Sequence, residues 1–207
     1  MIHLEDCRDT LKRNLEYHYI LCSPPDYDEV GLDPKKDSYS IFLQTWIPLL
    51  QPKNNFISIC MTDRKSDGII YSKHIDVIQT MKENNWHLKT HKLWIKSTGI
   101  NMFRLNYMHL MTFKRDKSKA NLTRDFKPDV FVMDKSYRYN GYGYGMPLDI
   151  CSLLINEHTN ENEIVYDPFM GSGTTAIASI LNKRKYLGSE IKEEYYNLCQ
   201  QRITEMN

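Results

Sequence analysis

Asp167-Pro168-Phe169-Met170-Gly171-Ser172-Gly173-Thr174-Thr175-Ala176 decides how this chain is read. The stretch joins Glu163 to Tyr166, an apolar run read as a strand, to Thr174 to Leu181, read as a helix. Glycines at such a junction let the backbone approach a ligand closely, and the following helix N-terminus favours a negative group. A phosphate-binding loop of the Gly-Lys-Ser/Thr kind is excluded, because Thr174 and Thr175 follow Gly173 and no lysine does. Gly171, Gly173 and Ala176 do match G-x-G-x-x-A, and Glu190 ends the next strand, Tyr186 to Ser189, where a ribose-binding carboxylate belongs.

That fingerprint leaves a nicotinamide dinucleotide and S-adenosylmethionine both open, since each places ribose hydroxyls on a strand-end acid. A tight turn with no ligand is the plainer alternative, but strand, turn, helix, strand and acid in register exceed what a turn requires. Position narrows the choice. A dinucleotide fold begins with this unit, whereas here only 31 residues follow Ala176 in a chain of 207, so most of the sheet must come from earlier residues.

Outward from the turn, Met1 to Leu4, Tyr17 to Cys22, Phe56 to Met61, Lys92 to Lys96 and Tyr107 to Lys114 read as further strands, seven in all. Tyr39 to Leu50, with Ile41, Phe42, Trp46 and Leu49 at helical spacing, reads as a helix that Pro48 bends near its end; Ile75 to Lys82, Pro147 to Glu157 and Lys192 to Glu205 read as helices too. Strands alternating with helices imply a mostly parallel sheet with helices on both faces.

Composition adds bounds. Hydrophobic residues make up 41% and charged residues 26%, as in an ordinary globular chain, and the net charge of +1 exerts no global pull on nucleic acid. No apolar run approaches the roughly 20 residues of a membrane span, and the N-terminus lacks a secretory pattern, so a cytoplasmic or nucleoid-associated protein is expected. The five cysteines are scattered without a C-x-x-C pair, which favours reduced thiols. His87 and His91 stand four apart, a metal spacing on a helix, but Leu88, Leu93, Trp94 and Ile95 read as strand, and no metal is expected.

A second motif lies near the N-terminus. Ser23-Pro24-Pro25 ends the Tyr17 to Cys22 strand, and open α/β sheets bind ligands at the carboxyl ends of their strands. Prolines remove donors and leave the carbonyls of Ser23 and Pro24 free to accept hydrogen bonds from an amino group. Ser-Pro-Pro early and Asp-Pro-Phe-x-Gly-Ser-Gly-Thr-Thr late together resemble the β-group of amino-methylating DNA methyltransferases, whose motif order is permuted so that the catalytic half precedes the cofactor half. Leu4-Glu5-Asp6-Cys7, Gly145-Met146-Pro147-Leu148 and Lys185 to Ile191 followed by Glu193-Glu194-Tyr195-Tyr196 extend the likeness through most of the chain.

The resemblance implies a Rossmann-like S-adenosylmethionine-dependent methyltransferase fold in one domain: a catalytic half over 1–115, a small target-recognition insert over 116–145 and a cofactor-binding half over 146–207. It places Phe169, Gly171, Ser172, Gly173 and Thr174, with Asp167 before them, around the methionine moiety of S-adenosylmethionine. Glu190 takes the ribose hydroxyls, Ile191 packs on the adenine and Asp6, beside Cys7, hydrogen-bonds it; Met146 and Pro147 lead into this half. Ser23, Pro24 and Pro25 hold the target amine of a base flipped out of DNA. Ser at the first position favours N4 of cytosine, with N6 of adenine as the alternative. One departure stands out: where the family carries an aromatic residue after the second proline, this chain has Asp26, with Tyr27 next. Tyr27 stacking on the base through an altered turn, a remodelled pocket, Asp26 accepting from the amine, and a non-catalytic DNA-binding subunit are the readings this leaves.

Lys114 to Arg138 holds eight basic and four acidic residues, leaving +4, and precedes the cluster Tyr139, Tyr142 and Tyr144 with its glycines. Phosphate contact plus stacking on DNA would suit it, as would a solvated charged loop. So small an insert is consistent with a short site, relaxed specificity or a homodimer that supplies further contacts.

Overall fold

A computed structural model of the chain describes residues 1–96, 105–115, 128–132 and 146–206. In chain order the elements are β1 Ile2–Leu4, α1 Cys7–Leu11, β2 Tyr19–Cys22, α2 Ser40–Leu43, β3 Phe56–Met61, β4 Arg64–Ser66, β5 Ile69–Tyr71, α3 Lys73–Glu83, β6 His87–Ile95, β7 Tyr107–Lys114, β8 Val130–Val132, α4 Leu148–His158, β9 Ile164–Asp167, α5 Thr174–Leu181, β10 Lys185–Glu190 and α6 Glu193–Thr204. The main sheet runs β1-β10-β9-β2-β3-β7-β6-β8. All seven expected strands are present, but the sheet has eight: Val130–Val132 pairs parallel to β6 inside the segment read as an insert. Its Val-Phe-Val run is only three residues long, too short for period-two alternation to mark a strand.

A separate hairpin, β4 with β5, turns at Asp67-Gly68, both with positive φ (51° and 79°). This is the two-residue Asp-Gly turn whose twist suits a hairpin. The helix expected over Tyr39 to Leu50 is broken. It forms α2 and then a single 3-10 turn at Ile47–Leu49, since Pro48 has no N–H to continue an α-helical ladder. His87 and His91 lie on the strand β6, as the sequence indicates. No helix among the described residues is long and apolar enough to cross a membrane.

The chain folds as two compact units, Met1–Ser23 with Leu49–Ser58 and Ser136–Asn207, and Pro24–Pro48 with Ile59–Lys135. In the first unit β1, β10, β9 and β2 are all parallel, with Leu4 opposite Glu190, Gly188 opposite Asp167, and Ile20 opposite Tyr166. Helices α1, α4, α5 and α6 pack against these strands. Ile2, Met170, Ala176, Cys199 and Ile203 form a core, and Gly188 lets Met170 lie across the strand, because a Cβ there would stand 2.3 Å from Met170 Cε. In the second unit β7 and β6 are antiparallel, with a bulge between Leu88 and Thr90, and α3 packs on β6 and α2. Trp46, Trp86, Trp94, Tyr39 and Phe113 are fully buried there.

Candidate active site

The parallel strands of the first unit all end on one edge, and most of the expected site residues leave from it. Asp6 follows β1, Ser23 follows β2, the glycine turn follows β9 and Glu190 closes β10. Ligands of open α/β sheets bind at this carboxyl edge.

The turn is shaped by two glycines in the left-handed region, Gly171 at φ 53° and Gly173 at φ 85°. Met170 N–H donates to the Ser189 carbonyl (2.9 Å) and Gly173 N–H to the Met170 carbonyl (3.0 Å), which closes the turn against β10. Gly173 has a second duty: a Cβ there would stand 2.1 Å from Cys199 Sγ on α6. From the same helix the buried Arg202 donates to the Ser172 carbonyl and to Ser172 Oγ (3.0 Å). Phe169, Ser172 and Thr174 are half-buried around the turn.

Three carboxylates differ in their surroundings. Glu190 is buried, and its oxygens accept from Gly171 N–H (2.7 Å) and Lys192 N–H (2.8 Å), so its plane is set by backbone on both sides. Asp167 is deeper still. It accepts from Phe169 N–H (2.9 Å) and Thr175 Oγ1 (2.6 Å), and burial pushes its carboxyl up to about 7 against the pull of those two donors. Asp6 caps α1, taking Arg8 N–H at 2.8 Å, and hydrogen bonding from the Arg8 side chain holds it below the usual carboxylate range. Burial pushes the neighbouring Cys7 thiol up to about 12, which leaves it a packing residue.

Met146 and Pro147 are buried where α4 begins, while Ile191 is 67% exposed beside Glu190, an apolar side chain with its face open. A buried hydroxyl relay, Tyr166 Oη to Ser189 Oγ (2.9 Å) to Thr10 Oγ1 (2.7 Å), fastens α1 to β9 and β10.

Ser23 is half-buried at the end of β2 in the first unit, whereas Pro24, Pro25, Asp26 and Tyr27 belong to the second. Asp26 is clasped: Lys73 Nζ donates to Oδ1 (2.9 Å), Arg64 Nη1 to Oδ2 (3.1 Å) and Tyr27 N–H to Oδ1 (2.8 Å). Burial works to raise its pKa, but the Lys73 ammonium and these donors outweigh it and hold the carboxyl below its ordinary value. Tyr27 is 4% exposed and packs on Tyr39 with ring centroids 5.1 Å apart, so stacking on a base would require it to leave this packing. Tyr39 in turn donates its hydroxyl to the Pro25 carbonyl. Lys73, Arg64, Tyr39 and Arg202 are the residues that sequence reasoning passes over. Only Arg202 leaves a trace there, as a charge set among the apolar positions Leu198, Cys199 and Ile203 of α6.

A family model described as DNA methylase, covering the N6 and N4 types, matches residues 17–201. The chain belongs to this family of amino-methylating DNA methylases. Among curated relatives, it is 32% identical over 102 residues to the putative methylase YubD of Escherichia coli strain K12, covering 48% of this chain and 43% of that one. It is 56% identical over 45 residues to the orphan methyltransferase M.BamHII of Bacillus amyloliquefaciens, covering 22% of this chain and 17% of that one. The chain thus spans under half the length of these curated relatives. A putative DNA modification methylase of Thermus thermophilus, solved with S-adenosyl-L-methionine, superposes with a TM-score of 0.77 over 99% of this chain and 93% of its own, at 17% identity. That likeness is one of fold, and it agrees with the expected Rossmann-like methyltransferase architecture. The basic, tyrosine-bearing part of the insert expected to meet DNA lies outside the described residues apart from 128–132.

Proposed function

We propose that this DNA methylase transfers a methyl group from S-adenosylmethionine to an exocyclic amino group of a base in DNA, with N4 of cytosine the target. The observation that carries the reading is the adjacency of β2 and β9: Ile20 pairs with Tyr166, so Ser23 and the glycine turn leave neighbouring parallel strands at the same edge.

The residues there suit the cofactor. Glu190, oriented by two backbone N–H groups, keeps lone pairs for ribose hydroxyls, and the exposed face of Ile191 offers an apolar surface to an adenine. Phe169, Gly171, Ser172, Gly173 and Thr174 would receive the methionine part, and Asp6 at the end of β1 the adenine amine. When bound, the cofactor supplies an electrophilic methyl group on a sulfonium. Ser23 Oγ and the Pro24 carbonyl accept the two N–H bonds of the target amine, which favours a pyramidal nitrogen with its lone pair available. Held so by Ser23 and Pro24, the amine would present its lone pair to the methyl group that the cofactor supplies and would then give up one proton. Asp26, ion-paired and held in its charged form, is a weak base, so the amine proton passes to solvent. Orientation of this kind can supply several kcal/mol of the barrier.

A second reading, a DNA-binding subunit without transfer, draws on two observations: Asp26 is engaged by Lys73 and Arg64, and Tyr27 is buried. The test is transfer from labelled S-adenosylmethionine to mixed-sequence duplex DNA, with digested nucleosides identified by mass spectrometry for wild type and Ser23→Ala. N4-methylcytosine that disappears in the variant is the expected result. N6-methyladenine would overturn the choice of base, and cofactor binding without product would overturn the enzyme in favour of the second reading.

A further inference from the structure

A cluster on the second unit has no part in this chemistry. Asp63 follows β3, His74 lies in the first turn of α3, and His109 sits on β7. Their ligating atoms all lie within 4.8 Å of one another. Asp63 Oδ2 stands 2.7 Å from His74 Nδ1 and 3.3 Å from His109 Nε2, and the two imidazoles stack with centroids 4.0 Å apart. Asp63 and His109 are each 5% exposed.

We propose that Asp63, His74 and His109 form a binding site for one divalent transition cation of the zinc class. Two imidazole nitrogens and one carboxylate oxygen are a donor set that zinc takes, with ligand bonds of about 2.0–2.2 Å and a fourth position left to water. The surroundings are arranged for ligation as well. His74 N–H donates to Asp63 Oδ1 (3.1 Å), which fixes the carboxylate and leaves Oδ2 facing the two rings. His91 Nε2 lies 2.8 Å from His109 Nδ1, so it can accept a hydrogen bond from Nδ1–H, the tautomer of His109 that leaves Nε2 bare toward a cation. The edge of Tyr107 covers His109 at 5.4 Å. Partners of this kind orient metal-bound histidines and raise their basicity. Entry is from the His74 side, whose side chain is 21% exposed.

Without a cation, one ring N–H of His74 and one of His109 can donate to Asp63 Oδ2. On binding, the facing nitrogens of His74 and His109 offer lone pairs to the cation, each ring keeping a proton on its far nitrogen and passing any further one to solvent, and Asp63 and His74 part slightly. The bound cation would tie the exit of β3, the first turn of α3 and β7 together. His74 is the neighbour of Lys73, so it would also steady the clasp on Asp26. None of this depends on methyl transfer, and the site stands or falls by metal content alone.

The test uses the untagged full chain, stripped with a chelator, dialysed against zinc chloride and freed of loose metal by gel filtration. Metal per chain is read by mass spectrometry, and the cobalt(II) form by visible absorption. The expected result is one zinc per wild-type chain and intense tetrahedral bands for cobalt. Asp63→Asn, His109→Asn and His74→Gln each lose both signals while circular dichroism shows them folded. The partly exposed His74 gives the variant least prone to misfolding. His91→Asn keeps the stoichiometry and weakens affinity about 10–100-fold. His87→Asn is unchanged. Sub-stoichiometric zinc in wild type, full zinc retained by both His74→Gln and Asp63→Asn, or zinc lost in His87→Asn would each overturn the proposal.

Discussion

Gly173→Ala isolates what the glycine turn demands of its sequence. Gly173 has φ 85°, where an L-residue costs about 1–2 kcal/mol. Its new Cβ would stand 2.1 Å from Cys199 Sγ, 3.1 Å from Cys199 Cβ and 3.4 Å from Cys199 Cα, so α6 or the turn must shift, at about 1–3 kcal/mol for overpacking of this kind. The total expected loss is about 2–5 kcal/mol, and at about 2–4 °C per kcal/mol for a chain this size the midpoint falls visibly. Urea unfolding should be followed by far-ultraviolet circular dichroism, because Trp46, Trp86 and Trp94 all lie in the other unit. Repeating the substitution in a Cys199→Ala background removes the sulfur from the clash and leaves mainly the backbone penalty. The two changes should therefore couple by about 1–3 kcal/mol. A Gly173→Ala cost below about 0.5 kcal/mol, or the same cost in both backgrounds, would refute the account of this turn.

Two further expectations rest on the carboxylates of the same unit. Glu190→Gln should weaken binding of S-adenosylhomocysteine about 10–100-fold by calorimetry, since hydrogen bonds to a charged acceptor contribute about 1.5–3 kcal/mol. Stability should fall by about 1–3 kcal/mol, because a glutamine oxygen can accept from only one of Gly171 N–H and Lys192 N–H and its NH2 faces the other, and affinity within threefold of wild type would count against the ribose role. Asp167 has a folded pKa of about 7 against an unfolded value of about 3.9, so the folded state binds a proton more readily and stability falls as pH rises from about 4 to about 7. Asp167→Asn should flatten that part of the profile and be the more stable form at pH 8, by a margin on the order of a few kcal/mol. Parallel urea midpoints for the two proteins across this window would show that the buried carboxyl is already ionised at no cost.

The sequence by itself was enough for the local turns. Gly171 and Gly173 mark a left-handed turn between a strand and a helix through residue type and spacing, Glu190 marks a strand end, and Ser23-Pro24-Pro25 marks another. The seven strands read from the sequence were legible because β-branched, aromatic or apolar residues dominate each short run. The fates of Asp26 and Tyr27 were not legible. Lys73 and Arg64, which hold Asp26, lie 47 and 38 positions away, and Tyr27 is buried against Tyr39 on another element. The His87 and His91 spacing likewise pointed within one segment, whereas His91 meets His109 across a strand pair and His109 meets Asp63 from a third element. Spacing reports only what a single helix or strand can bring to one face. Pairing of distant strands, which sets Met1–Leu4 beside Lys185–Glu190 and His91 beside His109, is decided by burial and backbone hydrogen bonding over the whole sheet, and so only the tertiary structure reveals it.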